Sequence, residues 1–98
     1  MNLYTILRRH GWSSPEELHA AAERSTRVGN EQLADEVRWI RSYILQEPDG
    51  SLGSVCIYEA DSPEALRRHA RLADLPCDEI VPVADTVVVR PDPQHVGA

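Results

Sequence analysis

Residues 39–83 read WIRSYILQEPDGSLGSVCIYEADSPEALRRHARLADLPCDEIVPV, and this run decides the fold. It parses as strand, turn, strand, capped helix and strand. Starting at Val37, alternation places Val37, Trp39, Arg41, Tyr43 and Leu45 on one face of a strand, with Arg38, Ile40, Ser42 and Ile44 on the other. Glu47-Pro48-Asp49-Gly50 supplies turn chemistry, with proline, aspartate and glycine each suited to a turn position. Gly53–Ala60 returns as the hairpin partner. On it Cys56, Tyr58 and Ala60 point one way, and Val55, Ile57 and Glu59 the other. Asp61-Ser62-Pro63-Glu64 opens a helix in the order cap, proline, acid. Its inward stripe is Leu66, His69, Ala70 and Ala73, and Arg67, Arg68 and Arg71 face out. Pro76 stops it, and Glu79–Val83 forms the next strand.

Working outward, Leu3–Leu7 is a β-prone run that meets Arg8-Arg9-His10 and is broken at Gly11. Ser14-Pro15-Glu16-Glu17 starts a helix: Ser14 suits the cap, Pro15 the first turn, and Glu17 the return leg of a capping box. That helix runs at least to Arg27 and as far as about Asp35, with a stripe of Leu18, Ala21, Ala22, Ser25, Val28, Gly29 and Leu33. Gly29 marks a helix end, a close approach to a sheet, or space left for a bound molecule. Thr86–Arg90 is a last β-branched segment, and 91–98 is a polar tail. The expectation is one domain over residues 1–90, with the order βαββαβ of a ferredoxin-like α+β fold: an antiparallel sheet, both helices on one face, and a terminal strand.

At 98 residues there is room for a single core of modest size. The formal net charge of −6 argues against a phosphate-backbone binder, so no nucleic-acid partner is expected. Neither a signal peptide nor an apolar run of membrane-spanning length is visible, and Cys56 and Cys77 are read as reduced thiols. The expectation is a cytoplasmic protein with no membrane partner. Two helices cover only one sheet face, and the other still carries large side chains. Its natural cover is a second copy, giving a homodimeric α/β barrel.

Trp39 with Arg41-Ser42-Tyr43, then Cys56-Ile57-Tyr58-Glu59-Ala60, His69-Ala70-Arg71, and Leu75-Pro76 before Asp78-Glu79-Ile80 together resemble the family catalogued as domain of unknown function 4242. The likeness runs from about Leu3 to Asp85 and rests on scattered positions plus element order. It implies a dimeric ferredoxin-like fold and, for members that keep the ligands, nickel or another divalent transition metal as cofactor. Nickel-binding members carry adjacent histidines at the end of the first strand, where this chain reads Arg8-Arg9-His10.

Three chemistries compete for the polar residues. Imidazole and thiolate favour borderline metals, which makes His10, His69 and Cys56 the candidate ligands; His19, His95 and Cys77 complete the donor inventory. No HxH, HxxxH or CxxC spacing preassembles a site, so one would have to form through tertiary or dimer contacts. Arg41, Tyr43 and Tyr58, which share a sheet face if the hairpin register allows, with His69 over that face or over the opposite one, instead offer a cation and two phenols to an anionic or carbonyl ligand. The plain alternative is a packed Tyr43–Tyr58 cross-strand pair with Arg41 bound to a carboxylate such as Glu59. Catalysis would fall to His69 with Arg41 and Tyr43, in an enzyme acting on a carbonyl or aromatic substrate.

Overall fold

The computed structural model describes residues 1–94. Its elements are β1 (Asn2–Trp12), α1 (Pro15–Glu31), β2 (Val37–Gln46), β3 (Leu52–Ala60), α2 (Pro63–Ala73) and β4 (Glu79–Pro82). The strands form one antiparallel sheet in the order β2-β3-β1-β4, so the ferredoxin-like βαββαβ arrangement is present. His95, one of the donors in the sequence inventory, lies outside the described residues, as does the end of the tail.

Local chemistry sets the helix boundaries. Ser14 caps α1 in extended geometry and accepts from the Glu17 amide at 3.3 Å. Glu17 completes the reciprocal leg on Ser13 N–H at 2.7 Å, one residue before the cap amide that the pattern suggests. Ser62 caps α2 in the same way, accepting from Ala65 N–H at 3.2 Å. At the other end Asp74 turns left-handed (φ 54°), and the Asp74 and Leu75 amides satisfy the last carbonyls. Gly29 lies inside α1 rather than at its end.

Both stripes pack against one sheet face. Leu66, His69, Ala70 and Ala73 of α2 are buried, as are Ala21, Ser25 and Val28 of α1. They cover Tyr4, Ile6 and Arg8 of β1 and Cys56, Tyr58 and Ala60 of β3, paired in register as Tyr4 with Tyr58 and Ile6 with Cys56. Leu33 and Val37 close the core near the end of α1.

Three expectations are corrected. β1 does not end at Leu7 but runs through Gly11 to Trp12, with its pairing slipped between Arg8 and Trp12 and His10 at φ 52°. On β2, Trp39 pairs with Tyr58 but Arg41 pairs with Ile57, which leaves Ile40 as an extra residue. This bulge inverts the alternation, so Arg41 and Tyr43 lie opposite the face that holds Trp39. Thr86–Arg90 forms no strand, and Val87, Val88 and Val89 are each at least 75% exposed. The reason is register: Tyr4 pairs with Pro82, so β1 runs out of residues just as the chain passes Val83.

Candidate functional site

Period two along β1 carries Arg8 onto the inner face behind Tyr4 and Ile6, where it is only 2% exposed. Its Nη1 donates to the Pro76 carbonyl, and its Nη2 has no partner. Among the described residues no carboxylate forms an ion pair with it. The Arg8 guanidinium is therefore a buried cation without a carboxylate partner.

Around it sits a short polar chain. The Tyr58 hydroxyl lies 3.2 Å from Ser25 Oγ on α1. His69 Nε2, reaching in from α2, lies 3.1 Å from the Ser25 carbonyl and 3.4 Å from its hydroxyl. Because a carbonyl only accepts, the His69 proton resides on Nε2. Its Nδ1 is then a bare acceptor, buried and without a partner. Burial pulls the His69 pKa below its ordinary value; the Ser25 carbonyl opposes this and the Arg8 charge adds to it. The ring is therefore neutral at pH 7. Burial likewise raises the Tyr58 pKa, against the Arg8 charge and the Ser25 bond.

These groups border two spaces under α1. One, of about 390 Å³, is lined by Ser25, Gly29, Trp39, Tyr58 and His69 among others. The second, of about 230 Å³, shares Ser25, Trp39 and Tyr58 and adds Arg8, Ser54 and Cys56. Trp39 stacks on Tyr58, with ring centroids 6.2 Å apart and planes 8° from parallel. A Cβ at Gly29 would come no nearer than 3.9 Å to His69 Nε2, so this glycine leaves the first space open.

The other expected residues lie elsewhere. On the outer face Arg41 Nη1 is 3.2 Å from Asp92 Oδ2, and the Tyr43 hydroxyl donates to the same carboxylate at 2.9 Å. The proposed ligand set thus divides, Tyr58 and His69 under the helices and Arg41 and Tyr43 on the opposite side. The cross-strand aromatic pair is Trp39–Tyr58, not Tyr43–Tyr58, and Glu59 sits beside Arg38 rather than Arg41. Combining His69 with Arg41 and Tyr43 for catalysis is not met within one chain.

The metal set disperses as well. His10 is on the strand slip, its Nδ1 3.1 Å from Asp49 Oδ2 and 3.0 Å from Ser51 Oγ. Beside it, buried Glu47 accepts from Arg9 Nε and Nη2 at 2.8 Å and from the His10 amide at 2.9 Å. Those bonds, led by the Arg9 side chain, hold the Glu47 pKa at about 2. Asp49 is also held at about 2, chiefly by Ser51. Cys56 is buried, 3.2 Å from Ser54 Oγ, and both cysteines are free. No group of three or more His, Cys, Asp or Glu side chains among the described residues is placed to hold one ion. His10, Cys56 and His69 are therefore not brought together, and the donor set of a single chain does not fit a metal centre.

Sequence reasoning passed over Arg8. The signal was present, since Tyr4, Ile6 and Arg8 share parity, but a cation at the end of a β-prone run reads as a strand terminator.

A family model described as "Nickel responsive protein SCO4226-like" matches residues 4–83. The crystal structure of SCO4226 from Streptomyces coelicolor A3(2) superposes with a TM-score of 0.68 at 21% identity, covering 87% of this chain and 99% of that one. No curated protein matches the chain. The chain belongs to the SCO4226-like family, and the structural likeness bears on the fold alone.

Proposed function

We propose that this member of the SCO4226-like family is a small-ligand-binding protein, working as a cytoplasmic homodimer, whose ligand occupies the cleft between α1 and the inner sheet face. One observation carries the reading: two buried nitrogens, Arg8 Nη2 and His69 Nδ1, lack partners in residues that line open space. Buried polar atoms are nearly always satisfied, so an exception in a residue that borders a cavity is a place where a bound molecule can supply the missing partner. The bound molecule would be wedged between the Trp39–Tyr58 stack and α1. The dimer is supported by the outer face, where Ile40, Tyr43 and Val81 are each more than 40% exposed and, among the described residues, no helix or second sheet covers the strands.

A second reading follows from the family description: a nickel-related role. Its best local support is the His10 corner, with Asp49 and Glu47 nearby. Because one chain gathers too few free donors there, an ion would need side chains from both copies of the dimer.

Native mass spectrometry of the untagged protein, with and without added nickel, separates these readings. The expected result is a nickel-free dimer carrying a small organic mass, or regaining one from a fragment mixture. Combining Gly29→Leu with Ala22→Leu, which fill the larger and the smaller space from α1, is expected to abolish that uptake while keeping the dimer. Fixed nickel uptake lost on His10→Ala or His69→Ala, with no organic mass bound, would replace the first reading by the second.

A further inference from the structure

Resting on the cleft reading, we infer that the ligand is a small monocarboxylate with a short apolar body, and that Arg8 is its counter-cation. Arg8 is 2% exposed, its Nη1 donates to the Pro76 carbonyl, and its buried Nη2 has no hydrogen-bond partner. A charge buried without a counter-ion is among the least favourable arrangements in a protein, and binding an anion relieves it. The groups that border the smaller space with Arg8 add no negative charge: Tyr58, Ser25 and Ser54 are neutral hydroxyls, and Cys56 is a buried thiol bonded to Ser54.

The count of donors narrows the anion. No second arginine or lysine lines that space beside Arg8, so a single negative charge matches the site better than a phosphate dianion. Apart from the Ser42 hydroxyl the remaining wall is mostly apolar, with Trp12, Leu18, Ala22, Ile44 and Leu75. At about 230 Å³, it suits a branched aliphatic or single-ring acid. The same fixed charge disfavours a divalent cation in this cleft, so any nickel bound by the protein belongs elsewhere.

The test is calorimetric titration of the dialysed full-length protein with benzoate, phenylacetate and isovalerate, each beside its uncharged amide, and with inorganic phosphate. Each carboxylate is expected to bind at least about tenfold tighter than its amide, because a charge-assisted bond replaces a neutral one. Arg8→Met should erase that preference, and Arg8→Lys should retain it at lower affinity; circular dichroism checks that both variants fold. Should neither fold, the acid-to-amide ratio in the native protein decides alone. Amides binding as well as acids would overturn the anion class and leave the ligand-binding reading standing. Failure of every acid and every amide would sink both. Phosphate matching the best carboxylate would overturn the monoanion and the apolar body.

Discussion

Arg8 and Arg41 both sit on strands of one sheet, and the molecule treats them in opposite ways. Arg8 is sealed beneath α1 with a nitrogen unpaired, whereas the Arg41 side chain on the outer face is 55% exposed and rests against Asp92. The outer pair lies in water, where an ion pair contributes little and screening is strong. The inner cation lies where solvent cannot compensate it, so whatever completes it changes the energy. A visible salt bridge is therefore a poor guide to function in this sheet, and the unpaired charge is the informative one.

The largest test of the contrast between faces is truncation. Leu66, fully buried against the inner face, is expected to lose ~2–5 kcal/mol on change to alanine, whereas Val81→Ala on the outer face stays within about 1 kcal/mol for the monomer. Paired denaturant titrations read the difference. Equal losses would mean that the outer face is covered as tightly as the inner one, which would itself be evidence for a dimer packed through it.

Acid supplies the next contrast. The folded Glu47 pKa is about 2 against an ordinary 4.5, so between those values the unfolded chain binds the extra proton. Its contribution is complete above about pH 4.5 and is lost as pH falls toward 2. His69, lowered by burial, acts in the same direction from a higher starting point: stability drops as pH falls below its ordinary 6.5. The melting temperature should thus decline in two stages on acidification. Glu47→Gln should shrink the lower stage, to which Asp49 also contributes, and His69→Gln should remove the upper. A single stage unchanged by either substitution would show that neither group carries the acid response.

Much of this fold was legible because its signals are local. The proline-led caps at Ser14 and Ser62 and the helical stripes each depend on a few neighbouring residues, and each is where the spacing predicts. What escaped depends on partners distant in sequence. Alternation continues unbroken through Ile40, since Trp39 and Ile40 are both large and apolar, so nothing in β2 alone announces the bulge that moves Arg41 and Tyr43 across the sheet. Thr86–Arg90 has strand composition but no strand beside it, and propensity without a ladder does not make a strand. Gly29 shows the middle case. Its position in the inner stripe was clear, but only the packed α1 distinguishes a helix end from open space.

That position gives a smaller test, one that separates stability from binding. Gly29→Ala places a methyl at ordinary contact distance inside a regular helix, so it should stabilise by about 0.5–1 kcal/mol, or roughly 4–8 °C in melting temperature per kcal/mol. Affinity for a cleft ligand should hold or fall slightly, because the methyl enters the larger space. Destabilisation would mean that the space beside His69 does not admit a methyl group.

The smallest effect is expected on the outer face. Asp92→Asn removes the charge that holds Arg41 and Tyr43, yet all three side chains are exposed and no buried group is left unpaired. The change in stability should lie within about 1 kcal/mol and shrink further in salt. Read beside Arg8→Met it completes the comparison, since both variants disrupt an arginine on this sheet. If Asp92→Asn costs several kcal/mol, the segment after Val83 is a structural strap over the outer face, and that face is not free for a second copy. If it costs almost nothing, the strap is loose, and the exposed Ile40, Tyr43 and Val81 remain open to a partner.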